Sequence, residues 1–233
     1  MARKKKVLQQ TARKLIAYTT PRSFVAEQFR TLRTNITFSS PDADIRTMVV
    51  TSAASSEGKS TTSANLAVVF AQEGKKVLLV DGDMRKPTTH YTFHTGNTTG
   101  LSSVLTRQTT AEEAIRPTAV ENLDLLTCGP IPPNPAELLS SKSMDTLISQ
   151  LMDNYDLVIF DAPPILAVTD GQILANKCEG AILVINSGTT EKEMALKAKE
   201  AIESSNSRII GAVLNNFELP KNSSYYQYYG ATE

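Results

Sequence analysis

The stretch at residues 47–62, TMVVTSAASSEGKSTT, constrains the fold of this chain more than any other. An apolar run of strand character changes into small polar residues, and Gly58-Lys59-Ser60 then opens a segment with helical periodicity. In that order, backbone N–H groups of the loop surround phosphates, and the positive end of the following helix adds to the attraction. The sequence therefore predicts a phosphate-binding loop rather than an ordinary connection between a strand and a helix.

The side chains of this loop have separate expected roles. Lys59 is expected to reach the β and γ oxygens of a triphosphate, and the hydroxyl of Ser60 is expected to hold Mg²⁺. The remaining loop residues are expected to contribute backbone contacts to the phosphates: Ser56, Glu57 and Gly58. The general pattern G-x-x-x-x-G-K-[ST] is met only in part, because its first glycine falls on Ala53.

The charge balance of the chain argues against nucleic acid as a partner. Lysine and arginine total 24, and aspartate and glutamate also total 24, so no global field attracts a polyanion or an anionic membrane. The dense basic run Arg3-Lys4-Lys5-Lys6 is either a solvated terminus or a weak contact for anionic lipid headgroups. The second use would need another anchor.

Cysteine usage and hydropathy indicate the compartment. Cys128 and Cys178 lack the local spacing of a metal site and are expected to be packed thiols of a cytosolic protein. Apolar runs such as 181–185 are far shorter than the roughly 18 residues that a membrane span needs. No apolar segment near the start suits a signal peptide. The sequence predicts a soluble cytoplasmic protein that reaches the membrane through a partner.

Apolar runs of strand length alternate with helical patterns along the chain. Predicted strands are 47–51, 76–81, 157–161 and 181–186, with weaker ones at 123–127 and 209–215. Predicted helices are 59–73, 135–153, 169–177 and 190–205, and an amphipathic helix at 21–39 precedes the first strand. Most runs lack polar alternation, as expected for strands covered on both faces. We therefore expect an α/β fold with a doubly wound, mostly parallel sheet and helices on both faces.

The two ends of the chain differ from this middle part. Residues 1–20 form a basic N-terminal segment, and residues 21–220 form the expected nucleotide-binding domain. Residues 221–233 have little apolar periodicity and are expected to form a mobile tail. Four of the chain's seven tyrosines lie in this tail: Tyr225, Tyr226, Tyr228 and Tyr229.

Two further predicted strands end in carboxylates, Asp81 and Asp83 after one and Asp161 after the other. Because the carboxyl ends of parallel strands meet at one edge of the sheet, these acids are expected beside the phosphate loop. Asp161 suits an acidic partner of Mg²⁺. Of Asp81 and Asp83, one can hold the ion while the other accepts a proton from an incoming hydroxyl, or both can simply cap the next turn. Arg85 either stabilises phosphate charge or pairs with one of these acids.

In combination these motifs resemble those of the bacterial tyrosine kinases that govern the synthesis and export of capsular and other exopolysaccharides. The resemblance covers nearly the whole chain from about residue 20 onward. Its motifs are the phosphate loop, D-x-D-x-R-K-P at 81–87, D-x-P-P at 161–164, G-P-x-P-P-N-P-A-E-L-L at 129–139, E-x-x-R-x-x-R-T-N at 27–35, and the tyrosine-rich tail. One departure lies in the loop, where Ser55 and Ser56 stand in place of the expected proline and glycine.

The resemblance implies an ATP-dependent kinase that phosphorylates tyrosines, first those of its own tail. It also implies the residues around Mg·ATP. The phosphates and Mg²⁺ would be contacted by Lys59, Ser60 and Thr61. Asp81 would be the base for the tyrosine hydroxyl, Asp83 would assist the metal site, and Asp161 would complete the Mg²⁺ shell.

The resemblance further implies partners. Glu27, Arg30 and Arg33 match the motif through which family members close a ring, so that the tail of one subunit enters the site of its neighbour. Many Gram-positive members are separate cytoplasmic chains that the cytoplasmic end of a membrane-embedded modulator activates. Other protein substrates are expected besides the tail, and nucleic acid is not.

Two alternatives stay open at this point. One is an ATPase switch of the kind that positions division sites or segregates plasmids, which usually carries a second lysine where this chain has Ala54. The other is a silent nucleotide-binding scaffold, against which the set of Lys59 and three acids argues. Asn215 and Asn216, which follow the last predicted strand, are candidates for contact with the nucleotide base.

Overall fold

The computed structural model describes residues 14–40 and 44–218. Its strands are β1 (Thr47–Ser52), β2 (Val77–Asp81), β3 (Arg116–Pro117), β4 (Leu123–Leu126), β5 (Leu157–Asp161), β6 (Gly180–Asn186) and β7 (Ile209–Asn215). Its helices are α1 (Ile16–Thr19), α2 (Phe24–Phe38), α3 (Lys59–Gln72), α4 (Thr89–Thr92), α5 (Leu101–Leu105), α6 (Ala111–Ala114), α7 (Pro135–Ser140), α8 (Lys142–Asn154), α9 (Thr169–Lys177) and α10 (Lys192–Ser204).

Within the described ranges, seven strands form one sheet in the order β3-β4-β2-β5-β1-β6-β7. Strand β3 pairs antiparallel with β4, and all the other pairs are parallel. Strands β1, β2 and β5 are buried at every position. This burial explains why their sequences lack polar alternation. The predicted α/β class with a mostly parallel sheet is confirmed.

Helices cover both faces of this sheet. On one face, α8, α9 and α10 contribute Met144, Leu174 and Ile202 to a large apolar cluster. On the other face, α2 and α3 contribute Ile36 and Leu66 to a second cluster. The sheet is therefore doubly wound, and the edge at the carboxyl ends of its strands is the place for a ligand.

Helix α3 starts directly at the phosphate loop and is buried along most of its length. Segment 14–19 lies against it. Asn65 of α3 is fully buried, accepts a hydrogen bond from the N–H of Ala17 (2.9 Å) and donates to the carbonyl oxygen of Lys14 (2.9 Å). The helix that carries Lys59 is thus held by this segment as well as by the sheet.

The helix predicted at 135–153 is in fact two helices, α7 and α8. They are separated at Ser141, which has extended backbone angles and whose hydroxyl accepts a hydrogen bond from the N–H of Met144. A serine in that role starts a new helix rather than continuing the old one. The sequence did not indicate α1, α4, α5, α6 or β3, because elements of two to five residues are too short to show a period.

Candidate active site

Strand β1 ends at Ser52 and α3 starts at Lys59, so the predicted phosphate loop is the connection between them. Gly58 has a φ of +100°, and a Cβ atom there would lie 2.0 Å from Nδ2 of Asn215. Both the backbone and the space therefore require glycine. Ser56 has a φ of +66°, a left-handed conformation that glycine adopts at lower cost. The loop therefore makes this turn with a serine in place of the expected glycine.

The Glu57 side chain turns into the protein and braces the loop. Its carboxylate is buried and accepts hydrogen bonds from the N–H of Ala54 (2.9 Å) and from the hydroxyl of Thr190 (2.5 Å). Its backbone carbonyl oxygen accepts a bond from Nδ2 of Asn215 (2.9 Å). Asn215, a candidate for contact with the base, is therefore held against the loop, while Asn216 donates to the side chain of Asn186.

Lys59 lies among the acids that the sequence placed at the ends of separate strands. Its Nζ is 3.0 Å from Oδ2 of Asp83, 3.6 Å from Oδ1 of Asp161 and 3.3 Å from Oγ of Ser60. Burial lowers the pKa of Lys59, but the neighbouring carboxylates Asp161 and Asp83 outweigh it and raise the pKa above its usual value. The lysine is therefore held as an ammonium ion at the centre of an acidic site.

Asp161 is the most deeply buried of the residues that face this lysine. Its carboxylate lies beside Lys59 and Ser60, yet neither oxygen accepts a hydrogen bond of normal geometry from the described residues. Burial raises the pKa of Asp161, although Lys59 and Ser60 act in the opposite direction. A buried carboxylate that accepts no normal hydrogen bond from the described residues, and that Lys59 approaches at 3.6 Å, has lone pairs available for a bound cation.

The donor atoms of the site fit Mg²⁺ bound together with phosphate. The ion prefers oxygen ligands and usually takes one or two carboxylates, with the rest of its octahedron supplied by water and phosphates. Asp161, Asp83 and the hydroxyl of Ser60 provide such oxygens beside Lys59. Within residues 14–40 and 44–218 no group of three or more His, Cys, Asp or Glu side chains forms a ready-made metal cage.

Asp81 is fully buried and already engaged in hydrogen bonds. Its Oδ2 accepts from the N–H of Thr88 (3.1 Å) and from the N–H (3.0 Å) and hydroxyl (2.7 Å) of Thr89. Its Oδ1 accepts from the N–H of Asp83 (3.3 Å). Burial, together with the charge of Asp161, raises the pKa of Asp81 to about 7. In this structure Asp81 therefore shapes the segment that follows β2.

Asp83 borders the open part of the site. While its Oδ2 faces Lys59, its Oδ1 accepts hydrogen bonds from the N–H groups of Arg85 (3.3 Å) and Lys86 (3.0 Å). The two acids of the D-x-D motif thus differ in position: Asp81 lies behind, within the protein, and Asp83 lies in front, at the cleft.

Arg85 pairs with an acid that the sequence analysis did not single out. Its Nε donates to Oδ2 of Asp170 (2.9 Å) and its Nη2 donates to Oδ1 (3.0 Å). Asp170 is fully buried in the first turn of α9. The available sequence signal was a carboxylate in the first turn of a predicted helix, which is too common to indicate a partner.

A cleft of about 1170 Å³ runs along this edge of the molecule. Its floor is the phosphate loop with Lys59 and Asp83, and its walls come from α2 and from the end of β7. The wall residues include Phe24, Gln28, Leu32, Leu214 and Phe217. The volume exceeds that of an ordinary ligand pocket, so it has room for a nucleotide and a second reactant.

The three charged residues expected to form an oligomer contact lie on α2 with different surroundings. Glu27 and Arg30 pair with each other at 2.6 Å. Arg33 instead contacts the end of α3, where its Nη1 donates to the carbonyl oxygen of Val69 (3.0 Å) and its Nε lies 3.5 Å from Glu73. The expected autophosphorylation sites, Tyr225, Tyr226, Tyr228 and Tyr229, and the basic run at residues 3–6 lie outside the described residues.

Known proteins match this chain closely. A family model described as AAA domain matches residues 46–202. The chain is 54% identical over 233 residues to Tyrosine-protein kinase YwqD of Bacillus subtilis (strain 168), a match that covers 100% of this chain and 98% of that protein. It is 40% identical over 190 residues to Tyrosine-protein kinase CpsD of Streptococcus agalactiae serotype III (strain NEM316), which covers 81% of each.

A solved structure extends the similarity to three dimensions. The crystal structure of the chimerical protein CapA2B2 has a TM-score of 0.85 to this chain at 44% sequence identity, and the match covers 89% of this chain and 93% of that one. In the described ranges no helix has the length and apolar character required to cross a bilayer.

Proposed function

This chain belongs to the bacterial protein-tyrosine kinase family, and on that premise we propose that it transfers the γ-phosphoryl group of ATP to tyrosines, first those of its own tail, and thereby regulates exopolysaccharide synthesis and export. The observation that carries the proposal is the meeting of Lys59 Nζ with Asp83 (3.0 Å) and Asp161 (3.6 Å) at the head of the phosphate loop. A group-transfer site for a triphosphate needs this combination of one ammonium and several acids.

Most of the rate acceleration comes from positioning and from charge. The backbone N–H groups of the loop and the ammonium of Lys59 bind the phosphates and offset the negative charge that moves onto the leaving oxygen. Mg²⁺, when bound, neutralises charge on the transferred group, and Ser60, Asp83 and Asp161 would hold it. Two hydrogen bonds of 2.9 Å hold the loop in its conformation. The carboxylate of Glu57 accepts one from the N–H of Ala54, and the carbonyl oxygen of Glu57 accepts the other from Nδ2 of Asn215.

The tyrosine hydroxyl has to lose its proton during attack, since a phenol has a pKa of about 10. A carboxylate close to the cleft serves as the acceptor. Asp83 reaches the cleft directly, whereas Asp81, the base that the family resemblance implies, lies behind it and accepts four hydrogen bonds. Because Asp83 would hold the ion, we keep Asp81 as the proposed base, and it reaches the phenol once the segment 82–88 shifts.

The tail, the ring and the membrane complete the proposal. The tyrosines of one subunit enter the cleft of its neighbour in a ring whose contacts include the Glu27–Arg30 pair. A cytoplasmic segment of a membrane protein activates the kinase and recruits it to the inner face of the membrane. Added phosphates bring nearly two negative charges each, and their mutual repulsion weakens the ring. An assembly mass that stays unchanged after autophosphorylation would contradict this last step.

The central experiment uses radiolabelled ATP and purified full-length chain. Wild-type protein should retain label, and mass mapping should find it on the four tail tyrosines. Lys59→Met should retain none, while Lys75→Met, which removes a lysine that pairs with Asp44 instead, should match wild type. Label lost on replacing the four tyrosines by phenylalanine supports a kinase. Release of free phosphate without labelled protein would support the ATPase switch.

A further inference from the structure

Helix α9 fits closely against both acidic segments of the site. A Cβ atom on Gly82, between the two acids after β2, would lie 2.7 Å from the side chain of Leu174. A Cβ atom on Gly171 would lie 3.0 Å from the carbonyl oxygen of Pro163, in the segment after Asp161. Glycines at these two points let one helix lie against both segments. The start of α9 is therefore in a position to set where the acids lie.

The Arg85–Asp170 pair adds a polar connection at the same place. Its two parallel bonds fix the guanidinium plane as well as its distance, which a single lysine bond could not do. The Asp170 carboxylate is fully buried, so losing its partner would leave it without compensation.

A continuous path runs from this pair to the reacting groups. Arg85 is anchored through its side chain, and its own N–H donates to Oδ1 of Asp83 (3.3 Å). The other oxygen of that carboxylate faces Lys59 at 3.0 Å. Asp170 therefore affects Asp83 indirectly: it holds the side chain of Arg85, and the backbone N–H of Arg85 holds the Asp83 carboxylate.

We propose that Asp170 is a positioning residue of the kinase site: by holding Arg85, it keeps the Asp83 carboxylate at the distance from Lys59 that metal and phosphate binding require. This inference rests on the proposed function for the identity of the reaction, whereas the positioning role itself is argued from the geometry of the site. The guanidinium of Arg85 thus links the segment after β2 to α9 through Asp170, an acid outside the three that the sequence analysis considered for it.

The test compares Asp170→Asn, which keeps the size of the side chain and removes its charge, with Arg85→Lys, which keeps a charge and loses the paired bonds. Asp145→Asn is the matched control, because Asp145 pairs with Lys177 on α8 and α9 away from the cleft. For each protein, autophosphorylation kcat, KM for ATP, melting temperature and the Mg²⁺ enhancement of ADP binding are measured.

The kcat of Asp170→Asn and of Arg85→Lys should fall about 10- to 100-fold, the usual effect of removing a residue that orients a metal ligand. KM for ATP at saturating Mg²⁺ should change far less, because Lys59 and the loop are intact. The double variant should lose little more than either single one, since both break one link. A kcat that falls only as far as the loss of folded protein explains, as in the control, would overturn the proposal.

The binding measurement separates this inference from the proposed function. If wild-type protein binds Mg·ADP but transfers no phosphate to tyrosine, the proposed function fails while the positioning role is still measurable. Asp170→Asn should then reduce the Mg²⁺ enhancement of ADP binding. Equal enhancement in Asp170→Asn and in wild type would refute the positioning role whatever reaction the site performs.

Discussion

Replacing Ser56 by glycine should stabilise this protein. Ser56 has a φ of +66° and an exposed side chain. Left-handed backbone costs a residue with a Cβ atom about 1–2 kcal/mol. Glycine removes that cost but adds about 0.4–1 kcal/mol of entropy to the unfolded chain. The balance predicts a net gain of about 0.5–1 kcal/mol, or about 1–4 °C in Tm for a chain of this size.

The neighbouring serine provides the matched control. Ser55 is also exposed but is not among the described residues with positive φ. Ser55→Gly should therefore bring only the entropic loss, about 0.4–1 kcal/mol of destabilisation. Urea denaturation of wild type and both variants without nucleotide gives the two differences. If Ser56→Gly proves no more stable than Ser55→Gly, the conclusion that the loop stores backbone strain at position 56 is refuted.

Three more predictions follow from the site. Gly58→Ala should abolish nucleotide binding in calorimetry, because the new Cβ would lie 2.0 Å from the Asn215 amide. Adding Asn215→Ala should restore binding only in part, since residue 58 would still have a strained φ of +100°. Glu57→Ala should weaken ADP binding roughly tenfold through loss of the bonds to Ala54 and Thr190. Glu57→Gln, which can keep a bond to each partner, should stay near wild type. Burial raises the pKa of Asp81 to about 7 in the folded protein, whereas it is about 3.9 in the unfolded chain. The protonated carboxyl therefore stabilises the folded state fully below a pH of about 3.9, and this contribution is lost as the pH rises through about 7. Urea denaturation between pH 4 and 8 should therefore show a flatter profile for Asp81→Asn, and an unaltered profile would contradict the raised pKa.

The elements that could be predicted from the sequence are those whose signal is local. β5 and α9 lie at the predicted residues, since a run such as 157–161 is apolar and too short for a buried helix, and the phosphate loop carries its own spacing. Because parallel strands present their carboxyl ends at one edge, Lys59 and Asp161 could be placed together although they are about a hundred residues apart in the sequence.

The features that the sequence did not reveal depend on tertiary contacts. The pairing of Arg85 with Asp170 requires knowing how α9 packs on the segment after β2. The inward turn of Glu57 depends on Thr190, which lies in a connection more than a hundred residues further on. The division at Ser141 is a choice between continuing a helix and capping a new one, and a serine permits both.

The buried amide of Asn65 has a consequence for where this protein can be shortened. A chain that starts at residue 21, the boundary that sequence composition favours, would lack the N–H of Ala17 and the carbonyl of Lys14 that the amide contacts. The amide would keep its bond to the carbonyl oxygen of Thr61 (2.9 Å), but the apolar surface of α3 that this segment covers would face water, which lowers the stability of the helix. N-terminal truncations used to study the kinase should therefore start no later than residue 14, or the weakened helix α3 will be mistaken for a property of the enzyme.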